Sequence, residues 1–119
     1  TPGIPDKKLV FLLTQSYYQQ LLEAGVRIFE YTPGFIHAKN FVCDDEIAVV
    51  GTINLDYRSL YLHFECATWM YKCQAVGQVK EDMTDTFGDS REITLDMCRR
   101  QNIFRRGMQS ILRLFAPML

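Results

Sequence analysis

Two short hydrophobic segments separated by an acidic tripeptide constrain the fold of this chain more than any other feature. Residues 36–43 and 47–50 have the length and composition of β-strands. The tripeptide Asp44-Asp45-Glu46 between them is short enough to form a hairpin turn. The second segment is wholly apolar, so we expect it to be buried. The chain must therefore contain a β-sheet against which its other elements pack.

Helical and extended patterns alternate along the rest of the chain. Residues 6–22 have apolar side chains at a helical period, with Asp6 placed to cap the helix and Gly25 to end it. Residues 26–31 alternate as a strand does. The later segments are a strand at 62–71 and helices at 75–87 and 103–115, the last ended by Pro117. These elements predict an α/β fold in which helices flank a mixed β-sheet.

Length and charge limit the possible functions. The 119 residues, 48% of them hydrophobic, are enough for a single domain that buries roughly two-thirds of its unfolded surface. The net charge of −1 gives no overall basic footprint. Because DNA and RNA are bound largely through phosphate neutralisation, we expect no nucleic-acid partner.

The cysteines and histidines indicate neither disulfides nor a metal site. The four cysteines form no C-x-x-C pair, and the chain has two histidines. We expect reduced thiols, no cofactor and no metal. No apolar run approaches the roughly 20 residues of a membrane span. The chain is therefore expected to be soluble and to face the cytosol.

Acidic and basic residues are separated in the last part of the chain. Residues 81–96 carry six acids and one base, whereas residues 97–119 carry no acid. The bases of the second segment are Arg99, Arg100, Arg105, Arg106 and Arg113. A basic amphipathic helix here could lie on anionic lipid headgroups. We favour packing of its apolar side against the domain, which would leave the arginines able to face lipid.

The residues with the clearest chemical meaning are His37 and Lys39. Side chains two apart on a strand share a face, so an imidazole and an ammonium would lie together, which suits an anion. The neighbouring strand ends at Gly51, and its tip would bring Thr52 and Asn54 to the same end of the sheet as hydrogen-bond donors. Together these residues predict a phosphate-binding cradle.

Other polar residues near the cradle receive different interpretations. A histidine that attacks phosphorus must be neutral at the attacking nitrogen, and we expect Glu65 to orient the His37 ring by a hydrogen bond. Asp44 is out of phase with His37, so it is expected to act structurally at the turn. For Asp56 and Arg58, an internal ion pair or a loop-fixing role competes equally with substrate contact. We interpret His63 as a polar surface residue.

The pattern H-x-K-x4-D followed by G-[ST]-x-N resembles the phospholipase D superfamily, whose members carry two such motifs around one site. The resemblance assigns the histidine role of nucleophile or general acid to His37, phosphate binding to Lys39 and Asn54, and support of the histidine to Glu65. Thr52 stands where serine is also common. The parts of the chain that are similar to the C-terminal half of bacterial cardiolipin synthases are residues 24–26, Glu30, the H-x-K strand, residues 51–60, Phe64-Glu65 and residues 114–119.

This resemblance implies a phosphatidyltransferase that makes cardiolipin from two phosphatidylglycerol molecules through a covalent phosphohistidine. Its expected partners are phosphatidylglycerol, other anionic phospholipids, and either an N-terminal motif-bearing half or a second copy of the chain. The full-length protein is expected to associate with the cell membrane, with this chain as a fragment of it. Two alternatives remain: a phosphodiester hydrolase, and an inactive half that only binds lipid headgroups.

Overall fold

The computed structural model describes residues 1–116, apart from the side chains of residues 103 and 106. Pro117, which was expected to end the last helix, lies outside the described residues. A five-residue π-helical turn spans Arg58–Leu62. The other elements, in chain order, are α1 (Lys8–Glu23), β1 (Ile28–Tyr31), β2 (Lys39–Cys43), β3 (Ile47–Gly51), β4 (Ala67–Tyr71), α2 (Gln74–Gly88), β5 (Ser90–Ile93), α3 (Leu95–Arg99) and α4 (Ile103–Leu114).

The strands form two small sheets. β1 pairs with β5, and β2, β3 and β4 pair in that order; all of these pairings are antiparallel. On the other side of β1, Pro2 forms a parallel bridge with Tyr31. The predicted α/β class, with helices that flank the sheets, is confirmed. Among the described residues, parallel pairing is confined to the bridge at Pro2.

The three-stranded sheet positions the motif residues at one of its ends. Lys39, Gly51 and Ala67 are directly opposite one another across the three strands. Because neighbouring strands are antiparallel, the start of β2, the end of β3 and the start of β4 lie together at this end. The hairpin turn with Asp44 and Asp45 lies at the opposite end, and both aspartates have a positive φ.

A cluster of buried apolar side chains lies around β1 and β5, while Ala48 on β3 and Val76 on α2 are buried at the three-stranded sheet. Tyr18, Ile28, Ile93 and Cys98 are buried together. Beside them lies the Glu30 carboxylate, which is 2% exposed, accepts a hydrogen bond from Arg91 Nη2 at 2.6 Å and another from Gln15 Nε2 at 3.3 Å. A buried carboxylate requires such partners, and the ion pair with Arg91, whose side chain is 57% exposed, joins β1 to β5.

Several local expectations are corrected by the structure. The residue that precedes α1 is Lys7 rather than Asp6, and its side chain makes no capping bond. Gly25 follows α1 at φ 86°, as expected of a helix-terminating glycine. The predicted burial of β3 is wrong except at Ala48, because the sheet is covered incompletely: α2 packs on it, whereas Trp69 on β4 stays 62% exposed.

Helix α4 packs on α1 through its polar side. Arg113 Nε donates a hydrogen bond to Ser16 Oγ at 3.0 Å, and Arg105 Nη2 donates to Gln15 Oε1 at 2.5 Å. The expected packing of the apolar side against the domain is wrong, because these polar contacts turn that side outward. The exposed apolar side chains of α4 and its C-terminal cap are Phe104, Met108, Ile111, Leu114 and Phe115.

The length and composition of the described helices bear on whether one of them could cross a membrane. Within residues 1–116, none of them combines the length and the apolar composition that crossing a membrane requires.

Candidate active site

Thr52 joins the end of β3 to the segment that precedes β4. Its backbone N–H donates to the Cys66 carbonyl at 3.0 Å, and the Cys66 N–H donates to Thr52 Oγ1 at 3.1 Å. The Thr52 hydroxyl donates in turn to the Glu65 carboxylate. The threonine predicted to bind phosphate is therefore engaged with Glu65 in this arrangement.

Lys39 lies between a backbone carbonyl and two acidic residues. Its Nζ donates to the His37 carbonyl oxygen at 2.7 Å. Partial burial lowers the pKa of Lys39, and the negative charges of Glu65 and Asp56 act in the opposite direction. Since an ammonium group has three donors, this one retains hydrogens for an anionic ligand.

Glu65 is held in its ionised form. Hydrogen bonding from the hydroxyls of Thr52 and Ser59 lowers the pKa of Glu65. Desolvation opposes this effect, while the positive charges of His63 and Lys39 reinforce it. His63 is exposed, as expected of a rim residue, and it lies near enough to contribute to lowering the pKa of Glu65.

Ser59 is a site residue that the sequence analysis did not single out. It is buried, its Oγ accepts a hydrogen bond from Asn54 Nδ2 at 3.3 Å, and its N–H donates to Asp56 Oδ1 at 2.7 Å. This hydrogen bond is a contact of the kind that a loop-fixing role of Asp56 requires. The sequence does contain a signal for this contact. Asp56 lies three residues before Ser59, which is the spacing at which an aspartate at a helix N-cap accepts a hydrogen bond from a backbone N–H.

His37 lies just before β2 and is exposed. Its ring stacks on Phe35, with the ring centroids 5.8 Å apart. Among the described residues, no hydrogen bond joins the His37 ring to Glu65, contrary to the expected geometry. Because ladder pairing of β2 begins at Lys39, the sheet does not hold the histidine in the alternation assumed for a longer strand.

Of the three remaining residues that the sequence singled out, Gly51 lies at the site, whereas Asp44 lies at the far end of the hairpin and Arg58 is exposed. A Cβ on Gly51 would lie 2.5 Å from Ala67 Cβ, so only glycine allows β3 and β4 to approach so closely. Asp44 lies at the far end of the hairpin, where its carboxylate accepts a weak hydrogen bond from Cys43 Sγ at 3.4 Å. Arg58 is exposed and forms no ion pair with Asp56 in the described part of the chain.

This arrangement is suited to an anionic ligand such as a phosphodiester. The groups at this end of the sheet are the ammonium of Lys39, the amide of Asn54, the exposed imidazole of His37 and the carboxylate of Glu65. Within residues 1–116, no cluster of His, Cys, Asp and Glu is arranged to hold a metal ion. The exposed apolar side chains beside the site are Leu60, Tyr61, Leu62 and Phe64.

Comparison with known protein families assigns the chain to one family. The family described as cardiolipin synthase, PLD-like domain, matches residues 1–86. The chain therefore belongs to the phospholipase D-like domain family of cardiolipin synthases.

Individual relatives extend over the whole chain. An uncharacterized protein of Streptococcus mutans is 51% identical over 99% of this chain. Cardiolipin synthase 2 of Bacillus anthracis and the cardiolipin synthase of Halalkalibacterium halodurans are each 38% identical over the same share. The chain spans about a quarter of these relatives, between 23% and 26% of their length. No solved structure matches.

Proposed function

We propose that this chain supplies one half of the active site of a phosphatidyltransferase that makes cardiolipin from two phosphatidylglycerol molecules. The observation that carries the proposal is the grouping of Lys39, Thr52 and Glu65 at one end of the sheet, with Asn54 tied to the same loop through Ser59. The names of the relatives supply the product class.

The chemistry proceeds by two displacements at phosphorus. A neutral histidine of one motif attacks the phosphodiester, the bond from phosphorus to the glycerol oxygen breaks, and a second histidine protonates the departing alkoxide. A hydroxyl of the second phosphatidylglycerol then gives its proton to that second histidine and attacks the phosphohistidine. Transfer of the phosphatidyl group to this oxygen yields cardiolipin and restores the first histidine.

The residues of this chain have distinct proposed roles. His37 is one of the two histidines, and Lys39 and Asn54 stabilise the negative charge that develops on the phosphoryl oxygens. Glu65, held by Thr52 and Ser59, sets the electrostatic environment of Lys39. The second histidine comes from another motif-bearing half or from a second copy of the chain.

Replacement of Lys39 tests the assignment. In the complete protein that carries this chain, Lys39→Ala should lower kcat by about 100-fold or more, because it removes a cation that stabilises the transition state. The melting temperature should change little, since the side chain is outside the core. The measurement is the release of glycerol from phosphatidylglycerol, with Lys7→Ala, an exposed lysine before α1, as the matched control.

The products separate transfer from hydrolysis. Transfer gives cardiolipin and glycerol, whereas hydrolysis gives phosphatidic acid and glycerol. Near-normal turnover by Lys39→Ala would remove this lysine from the site. Phosphatidic acid as the main product would replace the proposed transferase by a phospholipase.

A further inference from the structure

The orientation of α4 is the reverse of that of an ordinary surface helix. A helix on a soluble domain normally turns its apolar stripe inward and its polar side outward. Here Arg113 and Arg105 bind residues of α1, and Gln109 between them is 6% exposed. The Arg113 guanidinium also lies over the Tyr17 ring, 4.6 Å from its centroid. The domain therefore holds this helix by its polar side.

The opposite side of α4 forms a continuous apolar face. We use this term for Phe104, Met108, Ile111, Leu114 and Phe115, all of which are exposed. Four of them, Phe104, Met108, Ile111 and Leu114, follow one another at spacings of four, three and three residues, so they line one side of the helix over nearly its full length. Phe104 is 83% exposed and Leu114 is 78% exposed, so residues 1–116 do not cover the face.

The charge of this part of the chain is uniformly positive. From residue 97 to residue 119 the sequence has five arginines and no acid. Arg99 and Arg100, immediately before α4, are exposed and form no ion pair with the described residues. An anionic surface would complement this charge, whereas a second copy docked on the same face would bring two arginine-rich segments together.

We propose that the apolar face of α4 inserts into the interfacial region of a bilayer that carries anionic headgroups. A helix that combines exposed large apolar residues with neighbouring arginines gains free energy there both from burial and from electrostatic attraction. The polar contacts with α1 fix the direction in which the apolar face points. This proposal concerns a docking surface and does not depend on the proposed catalytic function.

A single tryptophan placed on the face tests insertion. Trp69 is the one tryptophan of the chain, so Trp69→Phe combined with Phe104→Trp leaves a reporter on α4 alone. With vesicles of equal parts phosphatidylglycerol and phosphatidylcholine, its emission should shift to the blue, and brominated acyl chains should quench it. The matched control combines Trp69→Phe with Leu9→Trp on the exposed side of α1, which should show neither effect.

A charge variant tests the anionic requirement. Arg99→Gln with Arg100→Gln should weaken partitioning onto these vesicles by about tenfold or more, while Lys7→Gln with Lys8→Gln should weaken it less. Absence of quenching of the tryptophan introduced by Phe104→Trp would overturn the proposal, as would equal binding to pure phosphatidylcholine. A lipid-free dimer that Phe104→Ser converts to monomer would also overturn it, because the face would then bind a second copy.

Discussion

Two hydroxyl groups hold the Glu65 carboxylate, and this determines how its charge responds to pH. Thr52 and Ser59 bind the ionised form, so they lower the pKa of Glu65. A carboxylate whose pKa is depressed in the folded state contributes stability above its ordinary pKa and loses that contribution as pH falls through the folded value. The loop that carries Asn54 and Ser59 should therefore be held best near neutral pH.

Glu65→Gln makes this dependence measurable. At about pH 7 the variant should melt below the wild type, and the difference should shrink as the pH falls from the ordinary glutamate range through the lowered pKa of Glu65, where the wild-type carboxyl takes up its proton. Thermal unfolding followed by circular dichroism across this range is the measurement. Glu81→Gln, an exposed change on α2, provides the control. A difference in melting temperature that stays constant with pH would contradict the argument.

At the scale of elements, the close pairing of β3 and β4 is what carries the candidate site. Gly51 faces Ala67 across these strands, and Thr52 directly after it bonds to Cys66 and Glu65. The separation of the two strands at Gly51 therefore controls where the Thr52 hydroxyl and the Glu65 carboxylate meet.

Gly51→Ala should destabilise the chain by about 1–3 kcal/mol, because the new methyl group would overlap Ala67 and force the strands apart. Denaturant unfolding measures this change. The matched substitution Gly77→Ala on α2 meets no atom within 4 Å and should leave stability unchanged or raise it by about 1 kcal/mol, given the helix propensity of alanine. Wild-type stability of Gly51→Ala would show that the strands tolerate a wider spacing.

On the scale of the whole molecule, the candidate site lies on an open edge of the chain. His37 is exposed, and exposed apolar side chains adjoin the site at Tyr61 and Phe64. The one other histidine, His63, has phenylalanine and glutamate after it, so it lacks a lysine two residues on. The proposed chemistry therefore requires a histidine from outside the chain.

The 119-residue chain is accordingly expected to be inactive as a monomer. The test is an assay of phosphatidylglycerol turnover by the purified chain, with its mass in solution measured on the same sample. Activity that appears only in a dimer fraction would indicate that two copies complete the site. Robust transfer by a strictly monomeric chain would contradict the two-histidine mechanism.

Local features of the sequence determined the hairpin, the end of α1 at Gly25, the helix around residues 75–87 and the family. These depend on residue alternation, turn length and motif spacing, which act between neighbours in the chain. The strand β5 and the short helix α3 were not predicted from the sequence. β5 is defined by its pairing with β1, which is distant in the chain, so no local pattern indicates it.

Only the tertiary structure decided which groups meet Glu65, where the His37 ring lies and which side of α4 faces outward. Each depends on contacts between segments far apart in the sequence, such as Thr52 with Glu65 and Arg113 with Ser16. The burial of Glu30 belongs to the same group, since its partner Arg91 is brought to it by the pairing of β1 with β5. Periodicity identifies an amphipathic helix, but the direction of its apolar face is set by the surface on which it packs.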